Sequence, residues 1–261
     1  MKRSATHIIV LLFIGAIFQN CTNTPQITPS QKILFNNNWE FTKTDDSAGV
    51  FKNETNWKQV QLPHTPVIEP LIVNDQWQGT CWYKKRFPLD EDYSGKRLFL
   101  KFDGAMNVAE VWINGIKKIK HFGGYLPFVI DFTQEANINE TNTIIVKLDN
   151  RNNEVTGPKP LDILDFNMYG GIYRDVHLIV KNPLFISDPI LEDKVAGGGI
   201  FVRYPTVTKK EAIVQIKTHL RNESGYQIRY DISHELWLNK VKIASTFSEG
   251  FALESKKDVH N

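Results

Sequence analysis

The sequence predicts an all-β protein built of two successive β-sandwiches, the second incomplete. Three observations carry this expectation. Short runs alternate apolar and polar residues from Trp39 onward. Turn signals such as Asn114–Gly115 separate them. No amphipathic stretch exceeds about two helical turns. Many half-buried strands at close spacing argue for a sandwich.

The N-terminus reads as a targeting segment over residues 1–20. Lys2 and Arg3 precede Ile8–Phe18, an apolar run of 11 residues. That run is short for a bilayer span and suits a signal peptide. Cys21 follows, where a bacterial lipoprotein is cleaved and acylated. The preceding Asn20 departs from the small residue usual there, so plain secretion with cleavage elsewhere is the alternative. Lipidation of Cys21 is the favoured reading. It implies secretion across the inner membrane and a periplasmic or outer-membrane lipoprotein that touches the membrane only through its anchor. Residues 21–33, polar and Pro-containing, form a tether.

The first sandwich is expected over residues 34–181. Leu98, Leu100 and Phe102 alternate with Arg97, Phe99 and Lys101. Ala109, Val111 and Ile113 alternate with Glu110 and Trp112 before the hairpin turn at Asn114–Gly115. Ile144, Val146 and Leu148 lead to a turn at Asp149–Asn153, and Val176, Leu178 and Val180 close the unit. The second unit, residues 182–261, is expected to hold strands at 184–191, 200–204, 212–220, 227–238 and 241–247. From Pro183 to Asn261 there are 79 residues, fewer than the roughly 100 of a seven-stranded immunoglobulin-like sandwich. The unit therefore reads as partial.

Composition narrows the function. The 31 basic and 29 acidic residues are well mixed and leave a net charge of +2. No basic stripe points to nucleic acid. With Cys21 lipidated, Cys81 has no intramolecular partner, which excludes a disulfide framework. Cys81 reads as a small buried hydrophobe. The seven histidines lack metal-ligand spacing. His64, in LPHTP, reads as a structural hydrogen-bonder. Glu69, Glu110 and Glu192 read as surface or strand-face residues. The stretch Asp165–Asp175 (DFNMYGGIYRD) stands out. It leads from a turn-rich loop through a Gly pair into a strand, placing carboxylates and aromatics at a sheet rim, where binding groups sit. Arg174 is expected to pair with Asp175 or Asp149.

Several segments, taken in order, resemble the N-terminal sugar-binding domain of glycoside hydrolase family 2, which holds β-galactosidases, β-glucuronidases and β-mannosidases. They are WKQVQLPHTP (Trp57–Pro66), CWYKKRF (Cys81–Phe87), WING within Leu98–Thr133, GGYLPF, NTIIVKLDNRNN (Asn142–Asn153) and MYGGIYRDVHLIV (Met168–Val180). Residues 197–225 look like the start of that family's immunoglobulin-like domain. The resemblance implies a jelly-roll sandwich first, an immunoglobulin-like sandwich second, and a catalytic (β/α)8 barrel third. The barrel, with the two glutamates of a retaining mechanism, is outside this chain, so no catalytic residue is assigned. The family's sugar-contacting aspartate falls on Asp165, with Asp162 the nearest alternative. A second sugar-contacting loop places Asn74 as the counterpart of the family's asparagine. Trp77 either stacks on a sugar or packs on the rim. The galactosidases of the family use Mg²⁺ or Na⁺ near the active site, and no cofactor is expected within this chain. The implied partners are a glycoside substrate and the missing barrel. The reading is thus the N-terminal part of a β-galactosidase-like enzyme. The alternative is a stand-alone, lectin-like carbohydrate-binding protein.

Overall fold

The computed structural model describes residues 29–68, 76–156 and 168–261. Cys21 and the signal segment lie outside them. The first sandwich faces two antiparallel sheets against each other. One has six strands. In chain order these are β2 (Trp39–Lys43), β3 (Lys58–Val60), β4 (Thr80–Leu89), β6 (Val108–Ile113), β7 (Ile116–Phe122) and β9 (Glu140–Asp149), and across the sheet they run β3-β2-β4-β9-β6-β7. The other has four: β1 (Gln31–Leu34), β5 (Arg97–Phe102), β8 (Phe128–Asp131) and β10 (Val176–Lys181), in the order β1-β10-β5-β8.

Period-two alternation sends one row of each strand inward. Ala109, Val111 and Ile113 of β6 and Val176, Leu178 and Val180 of β10 are buried in the shared core. Ile144, Val146 and Leu148 face them from β9. The opposite face of the six-stranded sheet is also covered. Helix α1 (Ser47–Lys52) lays Val50 on Trp82 and Ile145, with Trp57 and Trp112 at the margin. The helix starts at Asp46, whose carboxylate accepts from Gly49 N at 3.0 Å, and stops at Asn53 in a left-handed conformation.

The second unit holds β11 (Leu184–Ile186), β12 (Ile200–Val207), β13 (Ala212–Asn222) and β16 (Lys257–His260) around β13. A separate hairpin is made by β14 (Ile228–Leu238) and β15 (Val241–Leu253). Two expectations change here. The strand predicted over 184–191 ends at Ile186, because Asp188 caps a short helix α2 (Pro189–Glu192) with Pro189 in its first turn. A strand at Lys257–His260, not foreseen, pairs with β13. Thr218 and His234 bridge sheet and hairpin at 2.8 Å, and Asn261 donates to the Tyr230 hydroxyl at 2.9 Å. Among the described residues β14 and β15 pair only with each other. Most of their side chains are half-buried or exposed.

The units meet through Phe99. Alternation points it away from the first core, yet it is buried, because Phe185 of β11 stands 5.8 Å from it and Val129 and Ile190 complete the cluster. Lys181 sits over both rings and donates to the Ile186 carbonyl at 2.7 Å.

One feature of β4 sets a pH dependence. Lys84 faces the α1 side and is neutralised by Glu40 at 2.6 Å. Lys85 lies on the core-facing row, 4.3 Å from the Phe35 ring, and donates to the Asn37 carbonyl. Burial pushes its pKa down to about 8. Between about pH 8 and the lysine value of the unfolded chain, the unfolded state binds more protons, so stability gained from this site rises with pH. Lys85→Met should therefore raise Tm at pH 7 and flatten the rise in stability between pH 8 and 10. Melting curves at pH 7, 8.5 and 10 check this, and parallel curves for both proteins would refute it.

Candidate functional site

Loops from one end of the first sandwich converge on the Gly170–Gly171 turn. Gly171 exchanges backbone hydrogen bonds with Met106, at 2.9 and 3.3 Å, and His64 N donates to the Ile172 carbonyl at 2.8 Å. The approach is close enough to require glycine. Gly171 has φ +97°, and a Cβ there would lie 2.5 Å from the His64 carbonyl oxygen and 2.7 Å from the Tyr83 hydroxyl. At Gly170 a Cβ would lie 2.8 Å from Asn150 Nδ2. Asn150, 2% exposed, accepts from Gly79 N at 2.7 Å and donates to the Trp77 carbonyl at 2.8 Å. One buried amide thus joins the loop after β9 to the loop before β4.

Next to this turn lies a cavity of about 290 Å³, walled by Met106, Met168, Tyr125, Tyr169 and Tyr173, with Pro63–Thr65 along one side. His64 Nδ1 is 2.8 Å from the Tyr83 hydroxyl, and Phe41 packs against the imidazole at 4.6 Å. Burial holds this histidine below its usual pKa, so the ring is neutral at pH 7. The Tyr173 hydroxyl donates to the Gly124 carbonyl at 2.6 Å. The described lining residues are aromatic, apolar or neutral polar groups.

Of the residues predicted to contact sugar, Asn74, Asp162 and Asp165 lie outside the described residues, as does Glu69. Trp77 is half-buried, packed on the first core with Lys43 Nζ 5.4 Å from its ring. Arg174 differs from expectation. Its guanidinium donates to the Tyr125 carbonyl at 3.3 Å and lies over the Tyr173 ring. Asp149 is held instead by Arg151 at 2.6 Å, and Asp175 accepts from Asn36 at 2.8 Å. Glu192 is also not a surface residue. Its side chain is 6% exposed and pairs with Arg221 at 2.8 Å. Cys81 is buried, and desolvation drives its thiol far above the usual range, so it is inert. Asp103, Asp175 and His177 cluster within 4.8 Å, with Lys101 at 3.2 Å from Asp103 offsetting the charge. Met106, Tyr125 and Tyr173 were not singled out as site residues. They come from three separate loops, and only GGYLPF and GGIYR flagged their neighbourhoods.

The family model described as glycosyl hydrolases family 2, sugar binding domain, matches residues 30–183. The chain is 35% identical over 201 residues to a β-glucuronidase of Bacteroides fragilis, covering 75% of this chain and 26% of that protein. It is 34% identical over 202 residues to a β-galactosidase of Thermoanaerobacter pseudethanolicus, covering 73% and 27%. Among solved structures, a β-glucuronidase from glycoside hydrolase family 2 superposes with a TM-score of 0.76 at 25% identity, over 90% of this chain and 26% of that one. A Bacteroides uniformis β-glucuronidase shares the fold at 22% identity and a TM-score of 0.76, over 89% and 27%. The chain spans about a quarter of the length of these relatives.

The rim geometry makes a graded prediction. Gly115 also has positive φ, +83°, but a Cβ there meets nothing within 4 Å. Gly115→Ala should cost about 1 kcal/mol from backbone strain alone. Gly171→Ala adds a collision with fixed backbone and should cost at least twice as much. Urea titration of both variants measures the difference, and equal losses would show that the Gly171 contact is slack.

Proposed function

From a chain that belongs to glycosyl hydrolase family 2, we propose the N-terminal, non-catalytic portion of a retaining glycosidase that hydrolyses O-glycosyl bonds, most like a β-galactosidase. The observation carrying this reading is the convergence of the LPHTP, GGYLPF and GGIYR loops on one rim. A rim of this kind holds a sugar ring while acid/base and nucleophilic carboxylates act from elsewhere. Retention needs two carboxyl groups about 5–5.5 Å apart, and this role is assigned to a barrel in the parent protein. Asp165 is the carboxylate acceptor of sugar hydroxyls in this reading, with Asp162 the alternative for that position and Asn74 the polar contact supplied by a separate loop.

The purified chain should therefore not turn over a nitrophenyl-β-galactoside, whereas the parent protein, read on past Asn261, should. Turnover by the 261-residue chain would overturn the reading, and a stop codon after Asn261 would favour the lectin-like alternative. In the parent, Asp165→Asn removes charge-assisted contacts worth roughly 1.5–3 kcal/mol each. It should lower kcat/KM by about one to two decades at unchanged Tm. A fall in Tm with kcat/KM intact would make Asp165 a turn residue.

We also assign the protein to the bacterial envelope, anchored through acylated Cys21 and facing the periplasm. The support is the position of Cys21 after an apolar run headed by Lys2 and Arg3. Cys21→Ala should move the protein from the membrane to the soluble fraction. Membrane association unchanged by that substitution would count against acylation.

A further inference from the structure

We propose that the second unit carries a carboxylate-binding site on the outer face of β12 and β13. It takes a small organic acid with a flat apolar body, the carboxylate held by Arg203 and Lys217 and the body seated on Phe201. The proposal goes beyond the glycosidase reading and does not depend on it.

Strand register builds the site. Phe201 lies opposite Lys217, and Arg203 lies opposite Gln215. Residues two apart on a strand share a face, and so do directly opposed ones. All four side chains therefore stand on one face. Thr218, the next residue along β13, alternates to the other face and meets His234 of the hairpin at 2.8 Å. The face with Arg203 is thus the one turned away from β14 and β15. Here lies a depression of about 550 Å³, with Ala196 and Ile216 completing its lining. That volume falls within the range of small-molecule sites.

Charge and orientation give the ligand class. Arg203 Nε donates to Gln215 Oε1 at 2.6 Å. This bond braces the guanidinium and leaves its two terminal nitrogens for a ligand. The carboxylates nearest this face are already engaged. Glu192 takes Arg221 at 2.8 Å, Asp258 takes His219 at 2.8 Å, and Lys194 lies 3.8 Å from each. Among the described residues, Arg203 and Lys217 therefore meet no carboxylate. Desolvation, then Lys217, His219 and Lys194, holds the neighbouring His260 below its usual pKa, with Asp258 opposing. A planar guanidinium fork matches the two oxygens of a carboxylate. Being braced in advance, it loses less freedom when the ligand enters. Phe201 is 39% exposed in the same depression and offers an apolar surface to the rest of the molecule.

The test titrates the 261-residue chain with phenylacetate, with neutral phenylacetamide of the same shape, and with acetate, by ligand-observed NMR. Phenylacetate should bind with a Kd on the order of 1 mM. The amide, without charge, should bind at least about tenfold more weakly. Acetate, without the ring, should also bind about tenfold more weakly. Arg203, Gln215 and Lys217 are exposed, so their substitution leaves the fold intact, which melting curves verify. Arg203→Gln should weaken phenylacetate binding about tenfold, and Arg203→Lys should not restore it. Gln215→Ala keeps every charge but removes the brace, and should weaken binding about threefold. Lys209→Gln removes the same charge from the turn between β12 and β13, outside the depression, and should bind as the parent chain does. Absence of phenylacetate binding, equal affinity for the amide, or binding kept in Arg203→Gln overturns the site. An equal loss in Lys209→Gln also overturns it, since net charge alone then accounts for binding. Full affinity in Arg203→Lys overturns the fork, and equal affinity for acetate overturns the role of Phe201. Activity of the parent protein tests the glycosidase reading separately.

Discussion

Loops at the end of a β-sandwich carry backbone amides and carbonyls with no neighbouring strand, and a buried one left unpaired is costly. Here buried asparagines satisfy many of them. An asparagine side chain offers the same donor and acceptor as a peptide unit. Asn150 takes Gly79 N and gives to Trp77 O. Asn142, fully buried, takes Asn137 N at 2.8 Å and gives to Asn137 O at 2.8 Å, while Asn114 bonds both Asn142 and Thr143 N. Asn36 takes Val176 N at 2.9 Å and gives to Asp175 at 2.8 Å. The Gly170–Gly171 turn can press on Asn150 and His64 only because these amides have already fixed the surrounding loops.

The second unit uses the same device where its apolar burial is thin. Asn222, fully buried, donates to the Tyr226 and Leu253 carbonyls at 2.9 and 2.8 Å and accepts from Ser224 N and Oγ. It thereby joins the end of β13 to the end of β15. The apolar contribution comes mainly from the Phe99–Phe185 cluster shared with the first unit. The second unit's order is thus borrowed in part from its neighbour, which is consistent with its many exposed strand residues.

Much of the first sandwich was legible because period-two alternation is a local signal. It located β5, β6, β9 and β10 and the turn at Asn114–Gly115. What was not legible depends on partners distant in sequence. Phe99 was placed correctly on the outward row, yet nothing near it announces Phe185. Lys85 sits in a basic pair that looks solvent-facing, but β4 is central and covered on both faces, so both lysines are buried. The strand Lys257–His260 is short and polar, and only its register against β13 defines it. The run 184–191 was read through because its hydrophobic residues outweighed Asp188–Pro189, a helix-start signal. Within the rim, the glycine motifs marked the position and the asparagine staples did not stand out, since asparagine in a loop is ordinary until its burial is known.

The second unit also shows why a constellation needs its surroundings before it is given chemistry. Ser187 Oγ lies 2.7 Å from His219 Nδ1, and His219 Nε2 lies 2.8 Å from Asp258. Serine, histidine and aspartate in this series match the composition of a hydrolytic triad. The geometry assigns them to structure. Ser187 is 3% and His219 1% exposed, so no carbonyl substrate reaches the hydroxyl. The Ser187 oxygen already accepts from Gly199 N at 2.9 Å, and its proton serves His219 Nδ1. His219 then donates from Nε2 to Asp258, whose carboxyl is held below its usual pKa chiefly by that bond. The relay runs from the loop before β12, through β11 and β13, to β16. It joins four segments of the second unit, the same work that the buried asparagines perform at the other loops.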